Sequence, residues 1–312
     1  MYTKVKSIKS ENLGYLLAVT DMLVYGLYPV YANKFSNTMN PLLFGGAALL
    51  IGSLPFLFIL KIQRDLIKLF SAKFIKPLLL IAILTAIGTL LFFAGTRLTS
   101  GINSGLLIQI EPVYSVFVAS IFLKEIIKKE QLASTLLMVI GAGIVVYRGF
   151  PGINVGDLLI VLSPFFFQIS HIIFKKSLIK IKNPNIATTA RLFYGGIIVT
   201  MVALLFDPGS LGQLSLKTNL VNILLFAFIF RALDLGLWTQ ALARLPLAKI
   251  SAILPLSAAV SFTGSVLILG EKPTMYQYIG LLLIGGGMLW LTLQHLRGSK
   301  VDNLIQSAGE LS

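Results

Sequence analysis

The chain has no cysteine. Disulfides, thiolate nucleophiles and cysteine-held zinc are therefore excluded. Histidine is almost as scarce: His171 and His295 are the only two. A histidine-rich metal site is excluded with them, and nothing in the sequence implies a cofactor. Acidic residues number 12 in 312, and all charged residues together make up 12%. A soluble domain carries roughly 25%. A soluble core of this length still turns much surface to water, and so few charges cannot cover it. A soluble globular fold is thus excluded. The 26 Lys and Arg give a formal charge of +14, which in a soluble protein would point to nucleic acid. No basic run alternates with aromatics on a polar stretch, so nucleic acid is not expected as a partner.

What is present is hydrophobic residues, 56% of the chain, gathered in ten apolar stretches. They fall at about 13–32, 41–60, 77–96, 101–123, 132–147, 157–174, 187–206, 220–243, 250–269 and 276–296. A spanning helix needs about 20 apolar residues. Barrel strands run about 10 residues and alternate in polarity; these stretches are longer and do not alternate. The expected fold is an all-α membrane protein with ten transmembrane helices, and the lipid bilayer is its first partner. Lys4, Lys6 and Lys9 before the first stretch resemble the leader of a signal peptide. The run that follows is too long for a signal core and contains Asp21, so it reads as a retained helix.

The basic residues test this division. With the N-terminus taken as cytoplasmic, nineteen lie in the two tails and in the connections after the second, fourth, sixth and eighth stretches. The five opposite connections carry one each, Lys34, Arg97, Arg148, Lys217 and Lys272, and Arg191 and Arg231 lie inside stretches. An imbalance that alternates at every crossing predicts an N-in, C-in topology.

The two halves of the chain resemble each other. Arg97-Leu98 and Arg244-Leu245 end the third and eighth stretches, with Ala94 and Ala241 three residues earlier. A proline-containing apolar stretch follows each, then Leu123-Lys124-Glu125 in one half and Leu269-Gly270-Glu271 in the other. Gln131 and Gln277 come next, then Gly141 and Gly287. The offset is 147 at the arginines and 146 at the glutamates, glutamines and glycines. Five helices per half is an odd number, so the second copy must be inverted across the membrane, an arrangement that recurs in transporters with the substrate site near mid-membrane.

On these motifs, from residue 12 to 297, the chain resembles the drug/metabolite transporter superfamily in its EamA-like branch. The resemblance implies one five-helix repeat at 12–148, a second at 155–297, and a cytoplasmic tail at 298–312. It implies a carrier with its site among spans 1, 3, 4, 6, 8 and 9. It places the fifth and tenth helices at the edges, where a homodimer is an option, and it gives Glu125 and Glu271 structural places at helix ends, where an acid before a helix start suits the dipole. One departure is Pro255, which lies 16 residues before Glu271, whereas Pro112 lies 13 before Glu125. This moves the expected break in span 9 toward its cytoplasmic end.

Ionisable groups inside a span are costly, and each is a functional candidate. Six occur: Asp21, Glu111, His171, Arg191, Arg231 and Asp234. Arg191 lies near a basic connection and reads as an interface anchor that snorkels. Arg231 and Asp234 are three apart and share a helix face; they are either a self-neutralising packing pair or a reader of substrate carboxylate and ammonium. Trp238 continues that face. Asp21 shares a face with Tyr25 and Tyr28. Glu111 precedes Pro112, which breaks a helix and frees a carbonyl one turn earlier. Gln168 and His171 share a face of span 6. The expected substrate- and proton-binding residues are Asp21, Tyr25, Tyr28, Glu111, Gln168, His171, Arg231, Asp234 and Trp238, with no catalytic or metal residue.

With Arg191 at the interface, three deep acids face one base. The excess is balanced by protons or by an entering cation. The expected function is a secondary active exporter, in the cell inner (plasma) membrane, of small amine-bearing or zwitterionic, amino-acid-like metabolites, coupled to protons. Uptake of a cationic metabolite or nucleotide-like cofactor is the alternative within that class, and a membrane-embedded enzyme is the alternative outside it. The glycines of spans 5 and 10 follow no strand and lack a Walker lysine, so they bind no nucleotide; they let helices approach closely.

Overall fold

The computed structural model describes the backbone of residues 2–309, except 125, 148–152, 243, 246–248 and 250–252. Side chains are described from 11 to 294, without those positions and without 123, 239 and 242. Glu125 and Arg148 therefore lie outside the described residues.

Among the described residues all regular structure is helical. In the first half α1 (Tyr2–Ser36), α2 (Pro41–Ile62), a short α3 (Leu66–Leu69) and α4 (Ala72–Leu98) precede a broken span made of α5 (Gly101–Ile108) and α6 (Glu111–Leu123), and then α7 (Lys129–Tyr147). The second half runs through α8 (Val155–Ile181), α9 (Pro184–Phe206), α10 (Lys217–Ala227), a π-helical turn (Phe228–Leu233) that leads into α11 (Asp234–Leu242), α12 (Leu256–Leu269) and α13 (Met275–Gly309). Nine segments among the described residues are long and apolar enough to cross a membrane, and α12 is a shorter apolar helix.

The helices start where local chemistry permits. The Asn40 side chain accepts from the amides of Leu42 and Leu43, Ser100 from Asn103, Asn154 from Gly156 and Asn183 from Asn185. Each satisfies amides that have no partner within the first turn. Pro41 and Pro184 take the first helical position, where a missing N–H costs nothing. The ninth stretch, expected from residue 250, is described as helix only from Leu256, after Pro255. The residue before a proline is steered away from helix, so the described helix is shorter than expected; residues 250–252 lie outside the described part.

The repeat reappears in the hydrogen bonds. The Oε1 of Gln131 accepts from the Lys128 amide at 2.9 Å, and the Oε1 of Gln277 accepts from the Thr274 amide at 2.9 Å. Connections expected to share an end of the bundle also meet. Asn183 donates to Gln63 and Asp65, and Lys249 to Glu11, at the end that carries the basic connections. At the opposite end Asn40 donates to Asp207, and Asn154 to the Leu98 carbonyl.

The two ends are packed differently. Opposite the basic end lies the main core, where Phe35, Phe44, Phe92, Phe93 and Phe226 are buried against one another. A polar chain closes that end between the halves. Asn103 donates to Asp157 at 3.0 Å, Gln277 donates to Asn103 at 2.6 Å, and the Glu271 carboxylate accepts from the amides of Gly101 and Ile102 at 2.5 and 2.8 Å. Glu271 thus holds the first turn of a helix in the other half, where a carboxylate meets the positive end of the dipole. Toward the basic end the bundle parts around a cavity of about 960 Å³. Its lining reaches Ile126, Pro184 and Asn185 in the connections, and Ile126 is 90% exposed. The cavity opens at that end.

Candidate functional site

Proline placement builds the floor of the cavity. Pro112 has no N–H to give to the turn before it. The span breaks there: Gln109 and Ile110 make tight turns onto Leu106 and Leu107, and α6 restarts at Glu111. Glu111 is thereby presented at a helix start and not on a continuous wall. Tyr25 Oη of α1 donates to Glu111 Oε2 at 2.8 Å, and the Gln168 amide of α8 donates to Oε1. His171, one turn along from Gln168, holds its Nδ1 at 3.9 Å from the same Oε1.

Arg191 of α9 reaches the ring from the far side, with its guanidinium nitrogen 3.1 Å from His171 Nε2. A guanidinium only donates. His171 Nε2 must therefore accept, which leaves the ring proton on Nδ1, facing Glu111. Arg191 also lies over the Phe174 ring at 5.2 Å, and its Nε is buried without a partner. The interface role expected for Arg191 is corrected here. Seven residues beyond Pro184, it sits about 10 Å inside the helix start and lines the cavity.

On the other wall, Arg231 donates to Tyr28 Oη at 2.7 Å and lies over that ring at 4.7 Å. Tyr28 is in turn stacked on Phe92 at 5.1 Å. The expected contact between Arg231 and Asp234 is also corrected: among the described residues no carboxylate lies within ion-pairing distance of Arg231. The reason is the π-helical turn at Phe228–Leu233. A π turn takes more residues than an α turn, so side chains three apart no longer stack on one face. Asp234 is within electrostatic reach of Arg231 without a direct contact, and of Asp21 and Glu111 as well. Asp21 is 3% exposed; its carboxylate lies against the Trp238 backbone, and its Oδ1 has no hydrogen-bond partner.

All nine candidate residues border this cavity. Further polar residues of the lining escaped the sequence reading, Gln109 and Ser257 among them. Gln109 donates to Ser257 Oγ at 2.7 Å, and this bond joins the broken span to the start of α12 beside the cavity. A glutamine two residues before Glu111-Pro112 was the available signal. Among the described residues no group of three or more His, Asp or Glu is placed to hold a metal ion.

A model of the EamA-like transporter family matches residues 12–147 and again residues 154–293. The chain belongs to that family. This EamA-like protein is 24% identical over 288 residues to a probable amino-acid metabolite efflux pump of Salmonella typhimurium, covering 87% of the chain and 92% of the relative. It is 23% identical to a protein of the same description from Escherichia coli, covering 91% and 96%. An uncharacterized transporter of Bacillus subtilis, YyaM, is 25% identical, covering 64% and 67%. A crystal structure superposes with a TM-score of 0.63 over 91% of this chain and 98% of the other at 15% identity, a likeness of fold. The protein is a multi-pass membrane transporter.

Proposed function

We propose that this transporter exports small amine-bearing or zwitterionic, amino-acid-like metabolites by alternating access across the cell inner membrane, in exchange for protons. The observation that carries the reading is the cavity itself: Asp21, Glu111 and Asp234 border one space that opens at the basic end and ends below a packed core. With the basic end cytoplasmic, the cavity stands open on the side from which cargo for export is loaded. An acid whose Oδ1 lacks a partner suits a substrate ammonium or a proton, since a buried carboxylate is not left uncompensated. The descriptions of the Salmonella and Escherichia relatives agree with an amino-acid-like cargo. A second copy of the chain is the partner that the family architecture allows.

The test is flux of labelled amino acids from proteoliposomes loaded with the full chain, with and without a pH gradient. Wild type is expected to move cargo faster when protons run the other way. Asp21→Asn and Glu111→Gln are each expected to abolish proton-coupled flux. Flux and pH dependence unchanged in both amides would sink the proposal.

A further inference from the structure

The halves meet at both ends of the bundle, and the repeat allows the two meetings to be compared. Gly14 and Gly156 are 142 residues apart, the offset between the starts of the two family matches. Leu98 and Leu245 are 147 apart. A Cβ on Gly14 would lie 2.7 Å from Leu245 Cγ, and one on Gly156 would lie 2.7 Å from Leu98 Cβ. Matched glycines thus closely approach matched leucines, one pair at the basic end and one at the opposite end. That is the placement an inverted second copy requires. A second matched contact lies beside each. Asn103 donates to Asp157. Lys249, 146 residues after Asn103, lies over the ring of Tyr15, 142 residues before Asp157. Every one of these contacts joins one half to the other.

Other matched faces do not agree. At the closed end Ser261 and Ser265 of α12 pack on Gly105 and Gly101 of α5. Ser115 and Ala119, 146 residues earlier, line the open cavity instead. Gln277 donates across the halves to Asn103. Its match Gln131 lines the cavity, and among the described residues its side chain bonds only within its own connection. The hydroxyls of Ser261 and Ser265 are buried and have no hydrogen-bond partner among the described residues. A buried hydroxyl without a partner is costly, so water that reached this face would offset part of the cost of parting it.

In a carrier of two inverted halves that rock against each other, the opposite-facing form exchanges the arrangements of the halves. A contact made by matched residues at both ends survives that exchange. A contact made at one end only is broken there, and its match forms at the other. We infer that Gly14 on Leu245 and Gly156 on Leu98 are the pivots of this rocking, and that the Ser261 and Ser265 face of α12 against α5 is the gate that parts. Tyr15 with Lys249, and Asp157 with Asn103, hold together beside the pivots throughout. Spans 1 and 9 therefore move as one group and spans 4 and 6 as another. The inference rests on the alternating-access reading above.

The test uses the full chain, whose lack of cysteine makes an introduced pair the only thiols. Gly14→Cys with Leu245→Cys bridges a pivot. Gly101→Cys with Ser265→Cys bridges the gate, where a Cβ on Gly101 would lie 3.0 Å from Ser265 Oγ. Both spacings are within the reach of a disulfide. Efflux of labelled leucine from proteoliposomes is compared between oxidised and reduced protein. The oxidised pivot pair is expected to keep flux within about twofold of its reduced form, and the oxidised gate pair to lose it about tenfold or more. Amide exchange of Gly101–Ile108 reads the same opening without cargo; the gate bridge is expected to slow it and the pivot bridge to leave it unchanged. A pivot bridge that stops flux or slows this exchange, reversibly on reduction, overturns the inference, and so does a gate bridge that does neither. If wild type moves no leucine, the export reading fails for that cargo, and amide exchange alone decides the inference. If the Gly14 pair does not fold, Glu11→Cys with Lys249→Cys takes its place at the same pivot, where Lys249 donates to Glu11 at 2.5 Å. A short bismaleimide joins that pair, the unlinked protein is its reference, and the same outcomes decide.

Discussion

At the scale of the residue, a hydrogen bond is worth what replaces it when it is lost. Tyr25 and Asn33 lie on the same helix, and each donates into the protein interior. Tyr25 bonds Glu111 at the edge of a cavity open at one end. Asn33 is 5% exposed and bonds the carbonyls of Thr96 and Thr99 at 2.6 and 2.9 Å, at the closed end. Water in the cavity can take over from a missing phenol, whereas the buried Thr96 carbonyl beside a missing amide has no such substitute. Asn33→Ala is therefore expected to cost about 1–3 kcal/mol of stability, and Tyr25→Phe clearly less, as read from thermal melting in detergent. Tyr25→Phe is expected to show its effect in transport instead. The same contrast explains what was legible in the sequence at this scale. Charges inside apolar stretches are rare enough to announce themselves, and all nine candidates border one cavity. Arg191 was misjudged because nearness to a basic connection along the chain says nothing about which way a helix faces. Gln109 was missed because an uncharged amide in an apolar run carries little signal.

At the scale of the element, the crossing of α2 and α9 depends on two glycines. A Cβ on Gly46 would lie 2.7 Å from the Thr200 backbone nitrogen, and one on Gly196 would lie 2.8 Å from that of Leu50. Backbone cannot step aside as a flexible side chain can. Gly46→Val is expected to lower stability by about 1–3 kcal/mol or more. Gly143→Ala, with nothing within 4 Å, is expected to be neutral or to stabilise by up to about 1 kcal/mol through helix propensity. Paired melting curves in detergent check both. The break between α5 and α6 was readable from Pro112, since a missing donor has a local consequence. The π-helical turn at Phe228–Leu233 was not readable, because it contains neither proline nor glycine and follows from packing on other helices. It separated Arg231 from Asp234, which an unbroken α-helix would have placed together.

At the scale of the whole molecule, the repeat was visible as an offset of 146 to 147 between matching motifs. The contacts by which one half closes on the other were not visible. Glu271 finds its donors some 170 residues away in sequence, and no local pattern records that. If the closed end must open in each transport cycle, this carboxylate restrains it. Glu271→Gln removes the charge and turns one acceptor into a donor that faces an amide. The variant is expected to shift the population at least about tenfold toward opening at that end, since two charge-assisted bonds weaken. The chain contains no cysteine, so Ser36→Cys, at a fully buried position beside Thr96, reports the opening through its rate of reaction with an impermeant maleimide. An equal rate with and without Glu271→Gln would mean that Glu271 does not restrain this end.

The phenylalanines packed behind that closure would give its opening a thermal character. An opening of the closed end that reached the buried rings of Phe35, Phe44, Phe92 and Phe226 would expose them to water. Newly wetted apolar surface adds about 0.45 cal/K/mol of heat capacity per Å², so an equilibrium between such a form and the one described would not follow a straight van't Hoff line. Burial of such surface weakens on cooling. Cold would therefore favour a form that wets the rings, and the directional bias of a carrier that cycles through such a form would vary with temperature.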